Sequence, residues 1–298
     1  GYVHGTFWLR LSPGQSLAAA KIEVPMRMAG VLIHGKSSHL VVKNLTATRP
    51  YNDGFNLFDC RDIVFENIRA IDCGDDGISA HGECRYRVDG FTSIGNATGI
   101  CDTGHSETTY RHVLIRDCIG FDLFFLDTGT YSVSDSVVIS SAANAVYLQG
   151  RDQPSEPCRL TLDNVLIRRE QGTGELRVSP NTVLDAHRVT LLGLNFYATG
   201  GEVKLHDSFI GGRPQPEMQL WPEVRWQASH NVYDLKSVRV DKTFFTPATF
   251  AEFPGVAGKE TDSRWQSVKE EGGRPRGLPD GCGADVDALL KRWVHERQ

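Results

Sequence analysis

The chain has 298 residues, of which 40% are hydrophobic and 23% are charged, and its formal net charge is −5. This balance is typical of a globular protein, and the negative charge argues against a nucleic-acid partner because phosphate binding needs a basic surface. No run of about 18 apolar residues occurs, so we expect no membrane-spanning helix.

The first residues, GYVHGTFWLRL, lack the basic start and apolar core of a secretory signal and are typical of a strand inside a domain. We therefore expect a mature or truncated form of the chain, with a secreted or periplasmic location. Three apolar runs, TFWLRL, KIEVPM and GVLIHG, predict the first strands within residues 1–38.

Short runs that end in a turn-forming residue followed by an apolar one recur along the chain, as in LVVKNL (40–45) and DIVFENI (62–68). Their spacing of 21 to 28 residues indicates a stacked repeat. The predicted turn positions are Asn44, Asn67, Gly90, His112, Ser136, Asn164, His187 and Ser208.

Each repeat also carries a second apolar run that a turn closes, such as DGISAHG or NAVYLQG. Such repeats are too short for helical hairpins and lack the LxxLxL pattern of leucine-rich repeats. The sequence therefore predicts an all-β protein, a right-handed parallel β-helix of about eight or more coils. Residues one period apart then lie about 4.8 Å apart. We expect one interior column to contain Phe55, Ile78, Ile100, Phe125 and Val146.

The regular repeat fades after about residue 209. We therefore predict a β-helix domain over 1–212 and an irregular C-terminal extension over 213–298, packed on the solenoid. The tail ADVDALLKRWVHERQ has apolar residues at helical spacing and predicts a helix that caps an open end of the β-helix. Trp221, Trp226 and Tyr233 are either the wall of a sugar-binding groove or packing residues.

Seven cysteines are present and none forms a CxxC pair, so a zinc ribbon or a thioredoxin-like site is not expected. We interpret them as free thiols of the core. No metal site and no cofactor is predicted from these residues.

Aspartates occupy two adjacent turns, in NDG at 52–54 and in GDDG at 74–77. Asp53 and Asp76 are 23 residues apart, one repeat, and Asp75 precedes Asp76. Stacking would gather three carboxylates, and like charges at close range raise at least one pKa. Split pKa values supply the acid and the base of glycosidic cleavage. Aspartate before glycine is also an ordinary turn signal, so a purely structural role remains open.

The NDG and GDD pair resembles the NxD and GDD motifs of polygalacturonases, which are pectin-degrading glycoside hydrolases built on a parallel β-helix. Residues 30–210 more broadly resemble the pectin-lyase-like superfamily, which also contains lyases, epimerases and phage tailspikes. The resemblance implies that Asp76 or Asp53 is the acid and that the other aspartates activate water for an inverting hydrolysis. The sequence departs from polygalacturonases because Thr98 stands where a histidine is expected and no RIK motif is found.

Other polar residues of the repeats are candidates for substrate binding because the alignment places them at strand ends on the same side. Asp102 and Asp127 align in one column, next to that of His81. The predicted substrate-binding residues are Asn52, His81, Asp102, His105 and Asp127.

Other functions stay open beside the hydrolase. A polysaccharide lyase or epimerase would use Ca²⁺ and a basic residue, and no Lys or Arg clusters near the aspartates in the alignment. A non-catalytic carbohydrate-binding or structural β-helix would explain the missing histidine directly. A homotrimeric tailspike is disfavoured by the charged strands. The expected partner is a polysaccharide or an oligosaccharide, with no nucleic acid and no membrane, and the oligomeric state is undetermined.

Overall fold

The structure is a computed structural model that describes residues 2–3, 6–7, 10–152 and 156–293. Strands make up 54% and helices 5% of it, and the strands form a parallel β-solenoid of about nine turns. The predicted all-β parallel β-helix is therefore confirmed.

The front sheet, as we name it, contains one strand from each coil, stacked in chain order. All neighbouring strands are parallel except the last pair, which is antiparallel. Its strands are Val31–Ile33, Phe55–Phe58, Asp76–His81, Thr98–Asp102, Phe121–Asp127, Asn144–Gly150, Gly174–Val178, Leu194–Ala198, Glu217–Leu220, Ser237–Val240 and Thr243–Phe245.

The back sheet has fourteen strands and faces the front sheet across the core. Ten strands form its main path: Ser38–Lys43, Arg61–Ile71, Arg85–Ile94, Glu107–Arg116, Thr130–Ser140, Cys158–Arg169, Thr182–Leu192, Glu202–His206, Arg225–Ser229 and Gly258–Thr261. Four short strands pair beside this path: Thr46–Thr48, Phe209–Gly211, Val232–Tyr233 and Arg264–Trp265.

The remaining elements lie outside the two sheets. Tyr2–Val3 pairs with Thr6–Phe7, and Lys269–Glu270 pairs with Pro275–Arg276, both antiparallel. The helical elements are the 3-10 helix Phe250–Glu252, the helix Phe253–Ala257 and the helix Val286–Arg292. The predicted strand in KIEVPM (21–26) is wrong, since this segment has no regular secondary structure, whereas GVLIHG forms Val31–Ile33 as predicted.

A column of residues with positive φ bends the back sheet once in each coil. Asparagine, aspartate and glycine favour this left-handed backbone, which explains the recurring turn signal. In the first two coils the Asn67 side-chain amide donates a hydrogen bond of 2.7 Å to Asn44 Oδ1. The column contains Asn44, Asn67, Gly90, His112, Asp135, Asn164, Arg188 and Asp207. The predicted positions Ser136, His187 and Ser208 are each wrong by one residue.

The interior of the solenoid is filled by stacked apolar side chains. Strand pairing aligns Phe55, Ile78, Ile100, Leu123 and Val146 in one buried column. The prediction that Phe125 belongs to this column is wrong, since Phe125 pairs with Asp102 and Leu148 in the next inward-facing column.

Substitution of Phe65 tests how much the packing of this core contributes to stability, because Phe65 is fully buried between two other rings. Its ring meets those of Phe55 and Tyr86 edge to face, with centroids 5.7 and 6.0 Å away. We expect Phe65→Ala to lower the free energy of unfolding by about 3–5 kcal/mol, because the cavity adds to the lost burial. Denaturant titration measures this loss, and Phe58→Ala, at a ring that is 48% exposed, is the control with a much smaller effect.

Stacking continues past residue 212, where the repeat fades in the sequence. Glu217–Leu220 pairs with Leu194–Ala198, and Arg225–Ser229 pairs with Glu202–His206. The division of the chain at residue 212 stays a prediction, and both sheets run across it.

The C-terminal helix Val286–Arg292 begins where the Asp285 carboxylate accepts a hydrogen bond of 3.1 Å from the Ala288 N–H. Its buried side chains pack against the outer surface of the back sheet, in a cluster with Leu114, Val137 and Leu166. The helix thus covers the flank of the solenoid and not the open end that we expected. The tail beyond residue 293 lies outside the described residues.

The C-terminal end of the solenoid is covered by the segment that follows its last parallel front strand. Thr243–Phe245 turns back antiparallel on Ser237–Val240. The buried rings of Phe245 and Phe253 then pack edge to face over the last coil, with centroids 5.6 Å apart. This segment protects a sheet edge that would otherwise be exposed.

All seven cysteines are free. Five are buried and two are half-buried, as expected for core thiols. Among the described residues, no helix is long and apolar enough to span a membrane.

Candidate functional site

The strand register brings the three aspartates together. Because Phe55 pairs with Ile78, Asp53 lies directly beside Asp76 on the next coil. The Gly54 N–H donates to the Asp76 carbonyl at 2.8 Å. One oxygen from each of Asp53, Asp75 and Asp76 lies within 4.8 Å of the other two. Asp53, Asp75 and Asp76 therefore form a cluster of three carboxyl groups.

Asp53 is the most buried member of the cluster, with 1% of its surface exposed. Ser79 Oγ donates a hydrogen bond to Asp53 Oδ2 at 2.8 Å, and the Asn56 amide donates to the same oxygen. The Asp76 N–H donates to Asp53 Oδ1 at 3.2 Å. These three donors fix the orientation of the Asp53 side chain.

Asp76 differs from an ordinary aspartate in its affinity for a proton. Burial raises the pKa of Asp76 to about 8, and the negative charges of Asp53 and Asp75 add to this effect. Hydrogen bonds with the side chains of Thr98 and Cys101 oppose part of the rise. Asp76 is therefore protonated at neutral pH.

Asp75 is the exposed member of the cluster. Partial burial raises its pKa, the charge of Asp53 raises it further, and the charge of His81 lowers it. Its N–H donates to the Asn52 carbonyl at 3.0 Å, which holds this turn against the previous coil. Asp75 is thus the carboxyl group that solvent and a substrate reach most easily.

Thr98 occupies the position on the next coil where polygalacturonases carry a histidine. It pairs directly with Asp76 in the front sheet, and its side chain hydrogen-bonds to that carboxyl group. A hydroxyl group takes part in the cluster here, without the proton transfer near neutral pH that an imidazole allows.

Two of the predicted substrate-binding residues lie near the cluster. Asn52 precedes Asp53 in the same turn and is half-buried. His81 ends the strand Asp76–His81 and is also half-buried, with its Nδ1 at 3.2 Å from Thr103 Oγ1.

The prediction that Asp102 lines a groove is wrong, because its side chain points into the core and is fully buried. Tyr86, Thr108 and Tyr110 donate hydrogen bonds of 2.7, 2.7 and 2.9 Å to its carboxylate. Burial raises the pKa of Asp102 to about 6. Asp102 belongs to an internal polar network that a substrate does not reach.

His105 and Asp127 lie at the far ends of the front strands, away from the aspartates. Asp127 has a left-handed backbone, accepts a hydrogen bond of 2.8 Å from the Gly104 N–H and pairs with Arg151 at 2.6 Å. His105 pairs with Glu156 at 3.6 Å and lines a separate cleft of about 750 Å³. The alignment of Asp127 with Asp102 is wrong, since Asp102 pairs with Phe125.

Three aromatic residues that the sequence patterns did not indicate lie two or more strands from the carboxyl cluster, and we call them the aromatic platform: Phe121, Phe124 and Tyr147. The three rings are nearly parallel, with centroids 4.3, 5.4 and 5.9 Å apart. All three are half-buried and belong to outward-facing columns of the front sheet. Phe121 pairs with Thr98, which pairs with Asp76, so the platform begins two strands from the cluster.

The three aromatic residues predicted as a possible groove wall lie elsewhere. Trp226 and Tyr233 are buried, and both donate hydrogen bonds to Glu260 from within the core. They are therefore packing residues. Trp221 is 48% exposed and lines a different cleft, together with Pro180 and Arg225.

Three carboxyl groups so close together raise the question of a bound cation. Calcium takes six to eight oxygen ligands, whereas this group supplies three side chains. Both Asp53 oxygens already accept hydrogen bonds from Asn56, Ser79 and the Asp76 N–H. These hydrogen bonds compete with a cation for the Asp53 oxygens.

Fold and site together define a class, a parallel β-helix protein with a cluster of three carboxyl groups on its front sheet. Comparison of the chain with protein-family models, with curated proteins and with solved structures finds no match.

Proposed function

We propose that the protein is a glycoside hydrolase that cleaves a polysaccharide or an oligosaccharide. The observation that carries the proposal is the cluster of Asp53, Asp75 and Asp76, in which one carboxyl group is protonated at neutral pH and lies beside charged neighbours. Glycosidic cleavage needs this pair of states, an acid for the leaving oxygen and a carboxylate that activates the attacking water.

The environments of the three aspartates assign a role to each. Asp76 is the general acid, because it holds a proton up to a pH of about 8. Asp75 is the base that activates water, since it is the member open to solvent. Asp53 is held by three hydrogen bonds, and its negative charge adds to the burial that keeps the proton on Asp76.

A hydrolase is favoured over a lyase or an epimerase by the composition of the front strands beside the cluster. Proton abstraction beside a uronate carboxylate needs a basic residue. Asp76 begins the strand DGISAH, which lies between the strands FNLF and TGICD, and these three strands contain no Lys or Arg. The hydrogen bonds that occupy the Asp53 oxygens also disfavour the calcium-assisted form of that reaction.

The test is incubation with a panel of neutral and acidic polysaccharides, followed by assays for reducing ends and for ultraviolet absorbance. We expect new reducing ends, no absorbance from unsaturated products, and the same rate with and without EDTA. Unsaturated products would identify a lyase instead. Retention of a polysaccharide without any product would identify a binding protein.

A further inference from the structure

We infer that Cys60 and Cys84 form an oxidation site, at which a peroxide joins the two thiols in a disulfide bond between adjacent coils. In the structure both residues are free thiols. The inference goes beyond the proposed function and does not depend on it, because it concerns a covalent modification of the scaffold and not the reaction at the carboxyl cluster.

The strand register places the two cysteines side by side. Arg61 pairs with Arg85 in the back sheet, so the residues that precede them, Cys60 and Cys84, are neighbours on adjacent coils. The Arg85 N–H donates to the Cys60 carbonyl at 2.8 Å. Neighbouring parallel strands lie about 4.8 Å apart, and the Cα atoms of a disulfide bond lie about 4.4–6.8 Å apart. The backbone spacing therefore suits a disulfide bond.

The two side chains point toward each other. Cys60 Sγ lies 3.6 Å from Cys84 Sγ and donates a hydrogen bond to it. The sulfur atoms of a disulfide bond lie about 2.05 Å apart, so closure needs an approach of about 1.5 Å. Small rotations about the two Cα–Cβ bonds supply this approach without a change in how the coils stack.

The reactivity of the thiols favours oxidation at Cys84. The thiolate is the form of cysteine that a peroxide oxidises. The hydrogen bond from Cys60 lowers the pKa of the Cys84 thiol. Burial has the opposite effect elsewhere, since it raises the pKa of Cys73 to about 12 and that of Cys282 to about 11. We therefore expect Cys84 to react first.

The site is open to a small oxidant. Both cysteines line the cleft of about 750 Å³ that contains His105, and each has 2% of its surface exposed. The Cys84 thiolate attacks one oxygen of hydrogen peroxide, the O–O bond breaks, and hydroxide leaves a sulfenic acid on Cys84. Cys60 Sγ then loses its proton and attacks Cys84 Sγ, so that the S–S bond forms, the S–O bond breaks and water leaves. Two thiols are oxidised and one peroxide is reduced to two waters.

The disulfide bond would connect the two coils that build the carboxyl cluster. Cys60 follows the front strand Phe55–Phe58, which begins two residues after Asp53, and Cys84 follows the front strand Asp76–His81. A bond between residues 60 and 84 restricts the unfolded chain and so stabilises the folded protein. The oxidised protein should therefore unfold at a higher temperature than the reduced protein.

The experiment treats the folded, fully reduced protein with hydrogen peroxide and then counts thiols after denaturation. We expect the count to fall from seven to five, since two thiols are consumed. Mass spectrometry should show the loss of two hydrogen atoms and one linked peptide that joins Cys60 to Cys84, and dithiothreitol should restore seven thiols. Seven thiols after treatment, or a link between other cysteines, would overturn the inference.

Serine variants connect the result to this pair of residues. After the same treatment, Cys60→Ser and Cys84→Ser should give no linked peptide. Cys158→Ser is the matched control, because Cys158 lies in the same column of the back sheet but between Gly129 and Thr182, neither of which has a thiol. It should form the link as the wild-type protein does. A link that is lost in Cys158→Ser and kept in Cys60→Ser would contradict the inference.

Thermal unfolding tests whether the bond fits the native stacking of the coils. We expect the melting temperature of the wild-type protein to rise by about 5 °C on oxidation. Cys60→Ser, treated in the same way, should show no rise. An oxidised wild-type protein that melts at the same temperature as the reduced protein, or at a lower one, would show that the bond does not form within the native coils.

Discussion

Replacing Asp76 with Asn is expected to lower turnover by about 10²–10⁴-fold, the usual contribution of a general acid. The amide has the same shape and keeps hydrogen-bond partners for Thr98 and Cys101, but it has no proton of suitable acidity for the leaving oxygen. The melting temperature should stay the same or rise. Steady-state kinetics on the polysaccharide found by the panel measure the loss.

The matched control for this variant is Asp72→Asn, which makes the same chemical change on the same coil. Asp72 lies in a left-handed turn, which asparagine also tolerates, and its side chain is 52% exposed. We expect full activity from it. Full activity of Asp76→Asn would remove the assignment of Asp76 as the acid, whereas equal losses in both variants would indicate damage to the fold.

The pH dependence of the wild-type protein is the second large effect. Since Asp76 must be protonated to act and its pKa is about 8, kcat/KM should fall about tenfold per pH unit well above pH 8. At the acidic end of the profile, activity should be lost as the base Asp75 becomes protonated. Because the pKa of Asp75 is also raised, this loss should begin at a higher pH than for an ordinary aspartate. A flat profile from pH 7 to 10 would contradict the assignment.

The same proton links stability to pH. Asp76 has a pKa of about 8 in the folded protein and its ordinary value of 3.8 when unfolded, so the folded state binds more protons between these values. The free energy of unfolding should therefore fall by about 1.4 kcal/mol per pH unit from pH 4 to pH 8 through this group. Asp102 and Asp122, with pKa values raised to about 6 and 7 by burial, act in the same direction.

Denaturant titrations of the wild-type protein and Asp76→Asn over this pH range isolate the contribution of Asp76. The amide does not titrate, so the slope of stability against pH should be shallower in the variant by about one proton. Equal slopes in the two proteins would show that the pKa of Asp76 is not raised.

The register of the first coils was predictable from sequence because their turns are nearly constant in length. Asp53 and Asp76 are separated by one repeat, and Thr98 follows after 22 residues, so counting residues brings the three positions into one column. The burial of each carboxyl group, which decides its role, could not be predicted from the sequence. Only the structure distinguishes the exposed Asp75 from the buried Asp53 and Asp76.

The aromatic platform was missed because one turn residue was misassigned. The sequence alignment placed Asp127 beside Asp102, but Asp127 takes the left-handed turn position beside Gly104, and Phe125 pairs with Asp102. This two-residue shift placed Phe125 in the core column of Ile100 and left the outward-facing Phe124 unnoticed. Aspartate and glycine both adopt the left-handed turn, so residue type alone does not fix the register there.

The sequence also did not predict that the side chain of Asp102 points into the core. Its neighbours in the column are the apolar Ala80 and Phe125, a pattern that only the correct register reveals. The buried hydroxyl groups of Tyr86 and Tyr110 that accompany it come from the back sheet, which residue counting along the front sheet does not reach.

The most direct test of the shared carboxyl site is an NMR titration of the aspartate side-chain carbons, with the Asp76 signal assigned from the Asp76→Asn variant. We predict a midpoint near pH 8 for Asp76 in the wild-type protein and a lower midpoint in Asp53→Asn, where one neighbouring negative charge is gone. An Asp76 midpoint near 4 that does not respond to Asp53→Asn would show that burial and the Asp53 charge do not raise the pKa of Asp76. The catalytic account would then fail.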